Sequence, residues 1–208
     1  MKKVFALAVA LCLVAVFSSC GTSLSSQDSS AETTSSHSSS QESDSQKMLD
    51  DTAIKNILTE KLPVAHEIYS IFSGPGLDYD QSVEQEYDEN GRCFVPVVSD
   101  KYHSTQDIRN AAEQVFTVQY AQENFYQYAL EGDYSRYLDL DGVLMMDIGQ
   151  GGGTNFNNWD LESMAVKSQT EDTILLNMDF ISDYDEAGNA DLTLVKENGE
   201  WKFTSDFR

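Results

Sequence analysis

Only the part of this 208-residue chain that follows residue 46 can build a core. From Gly21 to Gln46 the sequence is rich in Ser and Thr, has no aromatic residue and has almost no apolar side chain besides Leu24. Such a stretch buries too little surface to offset the entropy of ordering it, and it reads as a flexible tether. A coil of about 26 residues spans roughly 25 to 30 Å on average, with a stretched limit near 90 Å. His37 sits alone in it and reads as solvated.

The segment before the tether is of another kind. Lys2 and Lys3 lead into an apolar run of about 14 residues that ends in Phe17-Ser18-Ser19-Cys20. A basic start, a short apolar stretch and small residues before a cut site form an export signal, and the run is short for a membrane span. The reading taken is a lipoprotein signal over residues 1–19, with Cys20 carrying a diacylglycerol on its thiol after cleavage. Phe17 is a less common residue three before that cysteine than Leu, and an ordinary cleaved signal with Cys20 incidental is the alternative. Two acyl chains anchor stably where one binds marginally. The expected location is the extracellular face of a bacterial cytoplasmic membrane, with the lipid bilayer held through Cys20.

Residues 47–208 suit a single domain without visible repeats. The formal net charge is -22, and removal of Lys2 and Lys3 takes it to about -24. That charge excludes nucleic acid, whose phosphates need Lys and Arg to displace counterions, and disfavours anionic lipid surfaces. Basic proteins or cations suit it as partners, and solubility alone also explains it. With Cys12 cleaved and Cys20 acylated, Cys93 is the remaining thiol, so no intramolecular disulfide is expected.

Apolar residues from Ile54 to Phe72 recur at helical spacing and imply a first helix from about Asp50, bent or split at Pro63 and ended by Gly74-Pro75. Residues 81–87 and 92–98 flank Asp88-Glu89-Asn90-Gly91, a strong hairpin signal. Ser104 is placed to cap a second helix that buries Ile108, Ala111, Ala112, Val115 and Phe116, and a third runs from a break near Thr117 to about Leu130. Strands follow. Residues 136–140 and 143–146 meet through Asp141-Gly142, and a meander comprises segments near 161–168, 173–182, 190–196 and 200–206, with turns at 169–172, 183–189 and Asn198-Gly199. The expected fold class is α+β, with N-terminal helices packed on a curved antiparallel sheet as in cystatin-like or NTF2-like cones.

No catalytic set assembles from these residues. Cys93 has only His66 and His103 as partner bases and lies in an apolar strand, so a structural thiol is expected; His66 reads as a packed histidine. No cluster of Cys and His suits zinc, and neither a metal nor a cofactor is expected. Residues 149–154, Gly-Gln-Gly-Gly-Gly-Thr, lack the Lys of a phosphate loop and read as a mobile inter-strand loop. Residues 183–191 imitate a calcium loop but have Ala187 at its fifth position and reach Leu194 at its twelfth, so a long hairpin turn is expected. Asp139 and Asp141 have the spacing of a solvated strand face, although paired acids also serve glycan cleavage.

The order Ser104-x-x-Asp107-Ile108, Val115-Phe116-Thr117, Tyr120-Ala121, Leu140-Asp141-Gly142-x-Leu144, the glycines at 149, 151 and 152 with Trp159, and Gly199-x-Trp201-Lys202-Phe203 resembles the IseA-type DL-endopeptidase inhibitor family. The resemblance covers most of residues 65–207 and implies a non-enzymatic protein that blocks the cysteine endopeptidases cutting peptidoglycan stem peptides. Members often have Tyr where this chain has Met145, and the lipid anchor with its tether differs from simply secreted members. The expected function is occlusion of a cell-wall endopeptidase cleft. The expected partner-binding residues are Asp147, Gly151, Gly152, Gly153 and Trp159, on a loop that reads as exposed, with Trp159 either a buried anchor or a packing aromatic. A cone-shaped lipoprotein that binds a small ligand or serves as a scaffold is the second reading.

Overall fold

Helix α1 (Asp51–Ser73) turns one side inward through Ile54, Leu58, Leu62, Ala65, Ile68, Tyr69, Ile71 and Phe72, which follow the period of the helix. The computed structural model describes residues 48–153 and 156–205, all within one compact unit, Asp44–Arg208. The expected export signal of residues 1–19, the expected lipidation site Cys20 and the expected tether lie outside the described residues. Asp50 caps α1, its carboxylate accepting the Ala53 amide at 2.9 Å. The helix passes through Pro63 and is not split there. Pro63 is exposed, so water can reach the carbonyl that its missing N–H leaves without a helical donor.

The last turn of α1 has no basic residue. Gly74 donates to Tyr69 O and Ser70 O, and Gly76 to Ser70 O. The other carbonyls there are met from far along the chain. Buried Arg136 places Nη1 on Ile71 O at 3.1 Å and Gly74 O at 2.9 Å, and Nη2 on Pro75 O at 3.0 Å. Tyr137 adds its hydroxyl to Ile71 O at 2.9 Å. A cation at a helix C-terminus also complements the dipole.

Helix α2 (Thr105–Val115) starts as the sequence implies, with Ser104 Oγ accepting from the Asp107 amide and Asp107 accepting from the His103 amide. Asp139 adds a second acceptor for Thr105 N at 3.0 Å and Thr105 Oγ1 at 2.6 Å, which gives that carboxylate a structural task. Thr117 caps α3 (Val118–Ala121), which runs through a π-helical turn (Gln122–Tyr126) into α4 (Gln127–Ala129). The expected single third helix is therefore interrupted by a wider turn that buries the consecutive Phe125 and Tyr126. Phe125 stacks on Phe72 and meets Tyr69 and Phe116 edge to face.

The strands form two antiparallel sheets. One has the order β1 (Phe94–Pro96), β3 (Val143–Asp147), β2 (Tyr137–Leu140). The other runs β4 (Asn157–Trp159), β6 (Thr173–Ser182), β7 (Ala187–Glu197), β8 (Glu200–Phe203), with β5 (Ala165–Gln169) also on β6 after a short 3-10 turn (Leu161–Ser163). The molecule mixes helix and sheet, and the strongly curled antiparallel sheet forms a half-barrel. Ile174, Leu176, Met178, Leu192, Leu194 and Phe203 are buried in the core that α1 and α2 share. A bridge from Phe116 to Phe203 joins helices to sheet.

Asp141 and Gly142 both take positive φ, as the β2–β3 turn requires. The hairpin expected across residues 88–91 does not form. Asp88 closes the turn by accepting the Asn90 and Arg92 amides, but residues 81–87 are exposed and form no strand. Their sequence is mostly polar, with Val83 and Tyr87 left exposed, and β1 pairs with β3 instead. Strand β7 starts at Ala187, earlier than expected, so residues 187–191 of the calcium-loop imitation are strand. Two of its side chains are engaged in neighbouring pairs, Asn189 with Asp179 and Asp191 with Lys167.

Replacing Arg136 by Met removes the donors on Ile71, Gly74 and Pro75; Tyr137 still serves Ile71 O, but the carbonyl of buried Gly74 loses its donor. We expect a loss of about 3 kcal/mol in urea denaturation, with Arg136→Lys in between because an ammonium cannot reproduce the planar fork. A Met variant as stable as the parent contradicts this capping role.

Candidate functional site

The segment between β3 and β4 is anchored at its start by a carboxylate that cannot be seen from outside. Asp147 is fully buried, and each of its oxygens accepts two hydrogen bonds. Oδ1 takes the amides of Cys93 at 2.9 Å and Gly149 at 3.0 Å; Oδ2 takes Arg92 Nε at 3.0 Å and Gln150 Nε2 at 2.9 Å. Burial pushes this carboxyl up, but the donors from Cys93, Gln150, Arg92 and Gly149 outweigh it and hold its pKa below the ordinary 3.8. The expectation that Asp147 touches a partner is thereby corrected. A side chain with no exposed surface and four internal donors organises the loop instead.

Arg92 extends the anchor. Its Nη2 donates to Ser135 O at 2.8 Å, and its guanidinium lies 4.6 Å from the Phe94 ring centroid. Arg92, Asp147 and Arg136 thus join β1, β2, β3 and the end of α1, with the Asp147 amide on Arg136 O at 2.7 Å.

Past the anchor, Gly149 lies so close to Gly91 O that a Cβ would come within 2.1 Å of it. Gly152 is in the same position against Ser73 O, also at 2.1 Å, so the middle of the loop rests on the C-terminal end of α1. Gly151 and Gly153 have open space where a Cβ would stand, and residues 151–153 are all exposed. Gly149 and Asn158 are exposed as well, but at this glycine tip consecutive residues stand open, and Gly152 uses its missing side chain for packing.

The far end is pinned by α1. His66 Nε2 meets the carbonyl of buried Asn157 at 3.0 Å, and its ring lies 5.4 Å from that of Phe156. Burial lowers the His66 pKa below 6.5, against the opposing influence of Asn157 O and Asp183, so at neutral pH the ring is uncharged with Nε2–H donating. Trp159 is half-buried and stands edge to face on Phe180, with ring centroids 5.2 Å apart. With His66, Leu58, Leu62, Pro63 and Leu161 it walls an open groove of about 380 Å³.

Cys93 is buried, and its amide is held by Asp147. Of the histidines that could serve as its base, His66 is engaged on Asn157 and His103 is exposed next to the start of α2. Among the described residues no group of His, Cys, Asp and Glu is arranged to hold a metal ion, and no helix is long and apolar enough to cross a membrane. The cations are engaged internally: Lys55 with Glu162, Lys101 with Glu67, Arg109 with Glu131, Lys167 with Asp191 and Lys202 with Glu197. Glu84, Glu86, Glu89 and Asp141 are exposed and give the surface its negative field.

No protein-family model matches the chain, and no curated protein matches it. Sequence reasoning missed Arg92, Arg136 and the carboxylate role of Asp147. One signal was present: α1 ends without a basic residue, so its carbonyls required a cation from another element.

Ionised Asp147 contributes stability at every pH above its unfolded value, and that contribution is lost as pH falls through the depressed folded value. We expect Asp147→Asn to cost about 3 kcal/mol at pH 7 in urea denaturation and the gap to narrow below about pH 4. A gap that stays constant down to pH 3 contradicts the assignment.

Proposed function

We infer that the protein is an extracytoplasmic lipoprotein, held to the bilayer through acylated Cys20, that binds and inhibits peptidoglycan DL-endopeptidases by occluding their clefts. The observation that carries this reading is the β3–β4 loop. Its ends are fixed by Asp147 and by the His66–Asn157 contact, while Gly151 and Gly153 face outward with no side chain to hold a cleft wall away. A rigidly mounted backbone loop can enter a narrow cleft at low entropic cost. The negative field suits a basic cleft and should speed encounter. In this reading Trp159 braces the loop exit, and the half-barrel over α1 is a cone of cystatin-like or NTF2-like type. The tether of residues 20–46 lets the domain reach into the wall.

A second reading has one observation in its favour, the apolar groove between His66 and Trp159, which has the makings of a small-ligand site. Groove binding and loop occlusion share His66 and Trp159, so they are separated at Gly151 and Gly153, which do not line the groove.

In the decisive assay, release of stem-peptide fragments by DL-endopeptidases is followed with the full-length protein added in excess. Hydrolysis should fall, association should slow as salt rises, and dissociation should change little. Gly151→Trp and Gly153→Trp should relieve inhibition about tenfold or more with unchanged melting temperature, since both sites have room. In cells, Cys20→Ala should abolish fatty-acid labelling and membrane retention. If no stem-peptide endopeptidase is slowed by the folded protein, the inhibitor reading falls and the groove reading replaces it.

A further inference from the structure

The β1-β3-β2 sheet has two faces, and only one packs on the core. Val95, Met146 and Tyr137 share a register line and are buried. Side chains alternate along a strand, so the neighbouring positions form the opposite face. Pro96, Met145 and Leu138 lie side by side in one line of the register, and Val143 faces Leu140 in the next. Val97 donates its amide to Leu144 O at 2.9 Å, which carries the β1–β3 pairing one residue further and sets Val98 across from Val143. Among the described residues, none of these six belongs to the core cluster or packs on it. Val98 is 59%, Leu140 53% and Val143 46% exposed. Two ranks of apolar side chains thus cover a face that an antiparallel sheet ordinarily fills with polar residues when it meets water.

Carboxylates border these ranks. Asp80 N donates to Pro96 O at 3.0 Å and Val98 N to Asp78 O at 2.8 Å, so residues 78–80 run beside β1 as a further edge. Tyr79 bridges Val97 and packs on the core, which puts Asp78 and Asp80 on the outer side, each at the end of one apolar rank. Asp141, exposed in the turn beyond Leu140, closes the far corner. A second copy would bring these carboxylates together on a chain of net charge -22, and anionic lipid and nucleic acid are repelled for the same reason.

The geometry points to this face as a docking surface for a cationic amphipathic segment of a protein partner, with apolar side chains on the two ranks and Lys or Arg against Asp78, Asp80 and Asp141. The surface is separate from the glycine tip and the groove, so it stands whether or not the endopeptidase reading does.

The test uses the full-length protein in uncharged lipid nanodiscs and short fluorescent peptides that alternate Leu with Lys, Leu with Glu, or Ser with Lys. The Leu-Lys peptide should bind about tenfold more tightly than either of the others by anisotropy. Val143→Ser combined with Met145→Ser, which leaves the charge untouched, should weaken it about tenfold; Asp78→Asn with Asp80→Asn should weaken it and remove much of the salt dependence. Tyr184→Ser, at an exposed aromatic off this face, should change nothing. Equal binding of the Leu-Glu peptide overturns the proposal. So does indifference to the Val143 and Met145 changes, or a concentration-dependent dimer that those changes abolish.

Discussion

The guanidinium of Arg136 on the carbonyls that end α1 is the contact on which the arrangement of this molecule depends. A helix leaves its last carbonyls without intrahelical donors, and buried carbonyls that stay unmet are costly. Here the donors come from Arg136, just before β2, more than sixty residues away along the chain. That distance makes the contact a tie between the helical and the sheet halves of the fold. With Tyr137 on Ile71 O, it fixes where the three-stranded sheet stands against the helix.

The loop follows from that tie. Arg136 O accepts the Asp147 amide, and Asp147 then holds Cys93, Gly149, Arg92 and Gln150. Gly152 settles on Ser73 O at the same helix end that Arg136 caps. The loop is thus mounted on the junction of α1 with the three-stranded sheet, with Gly151 and Gly153 open at its tip. Charge acts in two ways: the cations that the fold needs are drawn into internal pairs, and the surplus carboxylates that result define the surface. Surface pairs such as Lys101–Glu67 add little stability, so their effect is mainly on the field a partner meets.

What was legible in the sequence was local. The Ser104 cap, the start of α1 near Asp50, the buried stripes of α1 and α2, and the Asp141-Gly142 turn are each decided by residues within a few positions of one another, and each stands where the pattern implies. The failures are of the opposite kind. Residues 81–87 have a turn signal beside them, yet Val83 and Tyr87 stay exposed among polar neighbours, and β1 finds its partner in β3. Strand β4 is three residues long and is defined by pairing with β6. The π-helical turn exists because Phe125 and Tyr126 both find places in a core built from other elements. Asp147 looked exposed because it opens a glycine-rich loop, and nothing local foretold that Arg92 and Cys93 would reach it.

The central claim is that a buried carboxylate holds the start of an otherwise open glycine loop. Amide hydrogen exchange on the intact protein tests it most directly. Cys93 and Gly149, whose amides donate to Asp147, should be strongly protected while Gly151 and Gly153 exchange freely. In Asp147→Asn the protection of Cys93 and Gly149 should fall far more than that of α2. Gly149 exchanging as fast as Gly151 in the parent protein, or protection unchanged in the variant, would contradict the account.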